Sequence, residues 1–498
     1  MKMNSTAYSF TIIVSYKDTE EYLSECVMSI LKQSIGFKDN IQLILVDDHS
    51  SDRSKEIADL YGSKVPSQVL SIESEGNGVA AAKNTGLKYA TGKYINFLDS
   101  DDRLEHNALE KIASFINTNE DVPFVSIPME YFENQVGPHM LNSKFVSSRI
   151  IDIDEEPSSI QLSSASSFFR KEVFEKYSFD EKMIFGEDSK LLTNLILEYK
   201  KYGVVKNTTY FYRKRVRKNS SMQNTYSKDF YYSTFIDEFL LDLVNRYNVN
   251  GKIPLYLQHV IAYSLQWPLR QQEIPTGIDN KTITCFWSKV KMLLPCIEDE
   301  ILLNLKYISG YQKWYLFCLK NNFDIKNPPI QVGDNIPKVE VHGNVYESLD
   351  KLSLNILSYN MTENTFYVVF TFVSKFSEES LKFYMLKDGK KIEIPVSRER
   401  KTKVLGTVVK EYVYLKFKCP LNQLSNMHFS IFVEMNGYAQ KVRLSMKAQK
   451  VITAPLKQKR LTVSMTYNSS NRTFELKKQK RFYDVKAILK NSLMKLKK

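Results

Sequence analysis

Over the first hundred residues, short apolar runs alternate with stretches in which apolar residues recur at helical spacing. The apolar runs predict buried strands at residues 10–14, 41–46, 65–72 and 94–98. The intervening stretches predict helices at residues 22–31, 52–61 and 79–90. Such alternation is typical of an α/β fold with a mostly parallel, Rossmann-like sheet and helices on both faces. Ligands of these sheets bind beyond the carboxyl ends of the strands, so we expect the site there.

The pattern changes in the rest of the chain. Aromatic-rich helices are predicted from about residue 226 to 322, and the prolines after residue 327 are typical of a linker. Apolar and polar residues then alternate with period two, and Asp388-Gly389 indicates a hairpin turn. We therefore predict four parts: an α/β domain at 1–225, a helical region and linker at 226–335, an antiparallel β-sandwich-like domain at 336–475 and a tail at 476–498.

The chain has 498 residues and a formal net charge of +13. Residues 450–498 carry fourteen Lys and Arg side chains and two acidic ones, which is +12 of that total. The remainder of the chain is therefore nearly neutral. Aromatic stacking platforms of the kind used to bind RNA do not accompany the charge, so nucleic acid is not an expected partner.

The basic tail also has a stripe of apolar residues at helical spacing, formed by Phe482, Val485, Ile488, Leu489, Leu493 and Leu496. A basic amphipathic helix of this kind predicts binding to an anionic membrane surface. The alternative is a helix that packs on the protein's own body or on a partner chain.

The five scattered cysteines indicate neither a disulfide framework nor a zinc site. No apolar run approaches the ~20 residues that cross a bilayer, and the N-terminus lacks a signal-peptide pattern. We expect a cytoplasmic protein that is peripheral on the inner face of the cell membrane.

Two acidic clusters follow predicted strands. Asp47 and Asp48 come after the second strand, and Asp99, Asp101 and Asp102 come after the fourth. Capping of the following helices by Asp52 or Asp102 is one explanation. Five acids at neighbouring strand ends also suit a hard cation, Mn²⁺ or Mg²⁺, that is shared with substrate phosphates.

The order and spacing of four segments resemble the motifs of glycosyltransferase family 2: residues 12–16, 46–52, 77–87 and 92–102. The resemblance covers roughly residues 8–225. It implies a GT-A fold and an inverting transfer of a sugar from a nucleotide-diphosphate sugar donor.

The resemblance also implies roles for individual residues. Asp47 or Asp48 would bind the nucleotide base, and Tyr16 would line the nucleotide pocket. Lys83 would lie near the donor phosphates. Asp99 would hold the ribose or the metal, and Asp101 would be the principal metal ligand.

Three positions differ from the usual family pattern. Ser15 and Lys17 stand where the family commonly has Pro and Asn, which changes the shape of the nucleotide pocket. His49 replaces a common Gly, so a positive φ angle there would be less favourable.

Inverting transfer needs a base for the incoming hydroxyl group. Residues 185–192 resemble the family's Glu-Asp motif, which implies Asp188 as general base and Glu187 as its support or as an acceptor contact. The alternative is that these carboxylates only stabilise a helix N-terminus.

Five cations lie close together at residues 213–218. The family has a segment here that closes over the donor diphosphate, which makes Arg213, Arg215 and Ser221 candidates for donor binding. The alternative is a solvated basic loop.

The whole layout resembles bacterial transferases of teichoic-acid and capsule assembly. It implies a hexosyl- or N-acetylhexosaminyl-transferase that acts on a cell-surface glycan or lipid-linked acceptor. The later domains would then hold the growing polymer or form a homo-oligomer. A non-catalytic glycan- or nucleotide-binding subunit of a polysaccharide assembly complex is the alternative.

Overall fold

The computed structural model describes residues 9–119, 121–216, 228–333, 336–362, 364–377, 379–423, 427–445, 452–456 and 461–480. The chain divides into two compact units, Met1–Ile308 and Ser309–Lys498. The helices after residue 226 that precede this division therefore belong to the first unit. The four-part division predicted from the sequence stays a prediction.

The strands of the first unit are β1 (Phe10–Tyr16), β2 (Ile41–Asp47), β3 (Val69–Glu73), β4 (Tyr94–Phe97), β5 (Arg103–Leu104), β6 (Phe124–Ser126), β7 (Met129–Glu133), β8 (Gly137–Pro138), β9 (Arg149–Asp152), β10 (Ser167–Arg170), β11 (Lys201–Val204) and β12 (Tyr210–Lys214). Its α-helices are α1 (Leu23–Leu31), α2 (Phe37–Asn40), α3 (Ser54–Lys64), α4 (Val79–Leu87), α5 (Ala108–Ile116), α6 (Glu187–Tyr199), α7 (Asp242–Tyr247), α8 (Leu255–Leu265), α9 (Asn280–Leu293) and α10 (Asp299–Leu303).

The main sheet of the first unit has the strand order β3-β2-β1-β4-β10-β6-β11-β9 within the described residues. Strands β3, β2, β1 and β4 are parallel, which confirms the fold predicted for the first hundred residues. β1 and β2 are buried along almost their whole length, as a sheet covered on both faces requires. The sheet as a whole is mixed, because β10 runs antiparallel to both of its neighbours.

Strand β3 begins four residues later than the sequence predicted. Helix α3 continues to Lys64, and a turn at residues 65–68 separates it from the strand. Pro66 lies in that turn, where its fixed φ angle and missing N–H group are tolerated.

A smaller sheet, with the order β5-β12-β7-β8 within the described residues, lies next to the acidic strand ends. Tyr210 of β12 pairs with Leu104 of β5, and Arg213 pairs with Phe132 of β7. Because β5 follows directly on Asp99–Asp102, this pairing brings the basic strand β12 against the acidic loop.

The described residues of the second unit form one α-helix and a set of β-sheets. Its elements are α11 (Gly310–Lys320), β13 (Ile330–Gly333), β14 (Ile336–Val341), β15 (Asn344–Ser348), β16 (Ser353–Met361), β17 (Thr365–Phe372), β18 (Lys382–Lys387), β19 (Lys390–Glu393), β20 (Val396–Val404), β21 (Thr407–Pro420), β22 (Met427–Met435), β23 (Tyr438–Lys441), β24 (Arg443–Leu444), β25 (Ile452–Leu456), β26 (Leu461–Asn468) and β27 (Thr473–Lys480). Almost all of the pairings are antiparallel, as predicted; the short pair β16–β24 is parallel.

Two of these sheets pack through aromatic side chains. Phe370 of β17 lies 5.6 Å, between ring centroids, from Phe474 of β27, and Phe417 of β21 lies 5.0 Å from Phe429 of β22. Along β17 buried and partly exposed residues alternate strictly. The period-two aromatic pattern therefore forms a sandwich core. Within the described residues of both units, no helix is long and apolar enough to cross a bilayer.

Candidate functional site

The carboxyl ends of β1, β2 and β4 meet at one edge of the main sheet because the three strands are parallel. Asp47 ends β2 opposite Tyr16, which ends β1. The Oδ1 atom of Asp47 accepts a hydrogen bond of 3.0 Å from the N–H of Ser50. Asp48 accepts one of 2.8 Å from the N–H of Gly78, the residue before α4. Both carboxylates are buried and hold the loops at the sheet edge in place.

His49 has a positive φ angle of +57°, the conformation that is less favourable for a residue with a side chain. Its Nδ1 atom lies 3.2 Å from the Glu73 carboxylate, and its Nε2 atom lies 3.1 Å from the carbonyl oxygen of Gly76. These two contacts offset part of the backbone strain at a non-glycine residue in this region.

Asp99 lies at the end of β4 in surroundings that disfavour its charge. Burial raises the pKa of its carboxyl to about 7, and the charges of Asp188 and Asp101 act in the same direction, against that of Lys83. A carboxyl that is poorly stabilised as an anion gains from a bound cation. Its position is therefore suited to a metal or to a hydrogen-bonding donor ligand.

Asp102 is buried, and its carboxylate accepts hydrogen bonds from strand β12 instead of capping a helix. It accepts a hydrogen bond of 2.7 Å from the N–H of Arg213 and another from the hydroxyl of Tyr210. The prediction that it caps a helix is wrong, because α5 begins only at Ala108. Asp52 accepts hydrogen bonds of 2.9 Å from the N–H of Ser54, the first residue of α3, and from the N–H of Glu20, although Arg53 occupies the N-cap position.

Asp101, the predicted metal ligand, forms an ion pair with Arg215, whose Nε atom lies 2.7 Å from Oδ2. Within the described ranges no group of three or more His, Cys, Asp or Glu side chains is arranged to hold a metal ion. Asp99 and Asp101 supply two carboxylates. Two carboxylates suit Mg²⁺ or Mn²⁺ when water and substrate phosphate oxygens complete the coordination, so the donor set fits a metal shared with a diphosphate.

Arg213 is buried and fully engaged with protein groups. Its guanidinium contacts the carboxylate of Glu25, lies 3.1 Å from Glu133 and donates to the carbonyl oxygen of Asp101 at 2.7 Å. The ring of Phe132 lies 4.4 Å away. Arg213 therefore fixes the acidic loop against β7 and α1.

The alternative of a solvated basic loop does not hold for Arg213 and Arg215, whose side chains are 6% and 12% exposed. Arg215 also lies over the ring of Tyr22, at 4.8 Å. The third candidate of this segment, Ser221, lies outside the described residues.

Lys83 joins two motifs that the sequence treats separately. Its Nζ atom lies 2.6 Å from Asp188 and 3.0 Å from Glu187, and all three groups belong to α4 or the start of α6. Burial alone would lower the pKa of Lys83, but the charges of Asp188, Glu187 and Asp99 outweigh it and raise the pKa. Lys83 is therefore a permanent cation beneath the two carboxylates.

The backbone before α6 fixes where these carboxylates lie. Gly186 has a φ angle of +84°, and a Cβ atom there would lie 2.7 Å from the ring of Phe235. Asp188 is also held from its other side, since its Oδ2 atom accepts a hydrogen bond of 3.1 Å from the N–H of Ser164. The backbone and the hydrogen bond thus hold Glu187 and Asp188 in one fixed position.

The structure therefore collects the sequence-predicted residues at one sheet edge in two groups. Tyr16, Asp47 and Asp48 end β1 and β2, whereas Asp99 is electrostatically coupled to the ion pairs of Lys83. Sequence reasoning missed the residues that hold these groups: Glu25, Glu133, Ser164 and Tyr210. No local pattern marks them, because each reaches the site through long-range pairing of strands or helices.

Comparison with known proteins gives this geometry a context. Residues 11–178 match the family described as Glycosyl transferase family 2. The chain is 31% identical over 453 residues to the minor teichoic acid biosynthesis protein GgaB of Bacillus subtilis (strain 168), which covers 89% of this chain and 50% of GgaB. It is also 31% identical over 324 residues to GgaA of the same organism, which covers 63% of this chain and 72% of GgaA. The chain thus spans about half the length of GgaB.

Two crystal structures of S. aureus TarS share the fold. The first covers 95% of this chain and 86% of TarS, with a TM-score of 0.51 and 14% identity. The second, TarS 1–349 in complex with UDP-GlcNAc, covers 68% of this chain and 99% of that one, with a TM-score of 0.50 and 17% identity. The succession of an α/β unit, helices and C-terminal antiparallel sheets is therefore a fold shared with TarS.

Proposed function

Because the chain belongs to glycosyltransferase family 2, we propose that it transfers a sugar from a nucleotide-diphosphate sugar to a cell-surface glycan, with inversion at the anomeric carbon. A teichoic-acid type of acceptor is supported by the names of GgaA and GgaB. The single observation that carries the proposal is the convergence of Asp99, Lys83 and Asp188 at the carboxyl edge of the sheet.

The donor is proposed to bind at the ends of β1 and β2. Tyr16, Asp47 and Asp48 lie there and would contact the nucleotide base and its pocket. We propose a UDP-sugar as donor, on the support of the UDP-GlcNAc complex of TarS. The transferred group would then be a hexose or an N-acetylhexosamine.

Asp188 is proposed as the general base. The acceptor hydroxyl loses its proton as the new glycosidic bond forms, and a carboxylate beside it can take that proton. Lys83 forms an ion pair with Asp188, and the N–H of Ser164 donates a hydrogen bond to the second carboxylate oxygen. Glu187 is proposed to share the charge of Lys83 and to help position the base.

Mn²⁺ or Mg²⁺ is proposed to be held by Asp101 and Asp99. When bound, the cation would offset the negative charge on the departing nucleotide diphosphate. For this, Asp101 would exchange its contact with Arg215 for the metal.

Measurement of nucleotide release tests the proposal. UDP-sugars are incubated with the full-length protein and Mn²⁺, with and without a teichoic-acid acceptor. We expect Asp188→Asn and Asp101→Ala to lower turnover roughly 10²–10⁴-fold. Asp154→Asn, which removes an exposed carboxylate away from the site, serves as the matched control and should leave turnover unchanged.

Unchanged turnover in both site variants would contradict the assignment. A wild-type protein that binds UDP-sugars but releases no UDP would instead favour the alternative, a non-catalytic binding subunit.

We further propose that the protein acts at the inner face of the cell membrane, held by its basic tail. Residues 481–498 of that tail lie outside the described residues, and residues 476–480 belong to strand β27.

A further inference from the structure

A cavity with a volume of about 450 Å³ is lined by Glu187 but not by Lys83. It is bounded by residues 176–180, by one face of α6 and by the end of α7. Glu187, Lys190 and Asn194 form its buried floor. Its volume falls within the range of sites that hold small molecules.

The face of α6 that lines this cavity is polar. Glu187, Lys190, Asn194 and Glu198 are spaced by three, four and four residues, so they lie on one side of the helix. Leu192, Leu195 and Ile196, on other faces, are buried among apolar groups. Three of the four polar residues are themselves buried, so this stripe is not an ordinary solvated surface.

The charges around the cavity are already compensated. Lys190 lies 2.6 Å from Asp180 and 3.4 Å from Asp242, and Arg246 lies 2.7 Å from Asp242. Lys176 contacts Glu198 at the rim. An anionic ligand would have to break these pairs, so the cavity does not favour a phosphate or a nucleotide.

Paired carboxylates keep lone pairs that accept hydrogen bonds from hydroxyl groups. Asn194 adds an amide that is held by Lys190 and Arg246, and Tyr177 and Tyr247 add aromatic rings. Fixed amide and carboxylate groups beside aromatic rings suit a ligand that has many hydroxyl groups and no charge.

We propose that this cavity binds a neutral polyhydroxylated unit of the acceptor, either a sugar ring or an open-chain alditol. The assignment to the acceptor rests on the proposed function, because Glu187 lines the cavity and precedes the proposed base, Asp188. Asp48, Asp99 and Asp101, assigned to the donor side, do not line it. The cavity is thus a binding subsite next to the reaction centre.

Saturation-transfer NMR on the full-length protein tests binding, with ribitol as the alditol probe and methyl glucoside as the ring probe. We expect saturation transfer to one of the two probes, which shows whether the cavity takes an alditol or a sugar ring. The signal should persist in excess UDP. Arg246→Ala, at the exposed rim, and Asn194→Leu, at the floor, should each weaken binding at least tenfold. Lys201→Ala removes an exposed cation that does not line the cavity and is the matched control.

Absence of transfer to both probes in the wild-type protein would overturn the proposal, as would full competition by UDP or unchanged binding in Arg246→Ala. Kinetics provide an independent measurement. Arg246→Ala should raise the acceptor KM about tenfold, whereas the control Lys201→Ala should leave the acceptor KM unchanged. If the probes bind but no UDP-sugar is ever turned over, the proposed function fails while the polyol site stands.

Discussion

The Nζ atom of Lys83 lies 2.6 Å from the Oδ1 atom of Asp188, although 105 residues of chain separate the two positions. The same nitrogen atom lies 3.0 Å from Glu187, so one buried cation serves two carboxylates. This contact joins α4, which follows the donor side of the sheet, to α6, which carries the proposed base. The stability of the protein and the position of its proposed base therefore depend on the same side chain.

Lys83→Met is expected to destabilise the protein by about 3–5 kcal/mol, because it leaves Glu187 and Asp188 without their cation. Denaturant unfolding measures the change, and UDP release should be lost in the fraction that remains folded. Lys88→Met, one residue beyond the end of the same helix and in an exposed pair with Glu75, should leave stability nearly unchanged. Equal effects of the two substitutions would contradict the role given to Lys83.

Gly186→Ala is expected to disturb the start of α6. The substitution combines a positive φ angle with a Cβ atom 2.7 Å from the ring of Phe235, and we expect a loss of about 2–4 kcal/mol. Gly251 also has a positive φ angle, +82°, but open space around its Cβ position. Gly251→Ala should therefore lose only about 1 kcal/mol. Thermal and denaturant unfolding of the pair separates steric overlap from backbone strain, and similar losses would argue against the overlap.

Lys144 should make stability rise with pH above neutrality. Burial lowers the pKa of its ammonium group from 10.5 to about 7, and in the part of the chain that the structure describes its Nζ atom donates to the carbonyl oxygen of Ile160 at 2.6 Å. Between these two pKa values the unfolded chain binds a proton that the folded chain does not, so folding is favoured as pH increases. We expect a gain of about 2 kcal/mol between pH 7 and pH 9 that Lys144→Met does not show.

Denaturant unfolding of both proteins across this pH range checks the expectation. The comparison with Lys144→Met removes the contribution of other groups that titrate in the same range. Nearby His139, whose pKa is lowered to about 3 by burial and by the charges of Lys144 and Lys214, titrates below the window. Parallel stability curves for the two proteins would show that Lys144 does not titrate as described.

Membrane recruitment by the tail is tested best with a chain that ends after Lys480. Strand β27 runs from Thr473 to Lys480 and pairs with both β22 and β26, so a cut near residue 475 would also damage the second unit. We expect the shortened chain to lose sedimentation with anionic phospholipid vesicles and to keep its unfolding temperature. Retained sedimentation would show that the tail is not the attachment.

The periodic pattern predicted β1, β2 and β4 well because these strands are buried on both faces, where an uninterrupted apolar run leaves little choice of structure. It placed the start of β3 too early, because apolar Val65 belongs to a turn. The local pattern also suggested that Asp102 caps a helix, but that helix begins six residues later, at Ala108. Short-range patterns therefore found the elements and misplaced some of their ends.

The partners of the site residues could not be predicted in the same way. Arg213 reaches Glu25 and Glu133 only because β12 pairs with β7 and packs near α1. In the sequence, Arg213 is one member of a basic cluster. Nothing in the local pattern indicates that its guanidinium forms ion pairs with carboxylates of the protein. Family resemblance located the acidic motifs, whereas the three-dimensional pairing decides which of them remain available to a ligand.

The wide separation of Lys83 from Asp188 has a consequence for synthesis in the cell. At about 5–20 residues per second, ribosomes need roughly 5–20 s to add the 105 residues between them. During that interval the nascent α4 carries a lysine whose counter-charge does not yet exist, so its burial must wait. The ability to turn over a substrate should consequently appear late in translation, and a ribosome stalled before α6 should display an inert, partly open first unit.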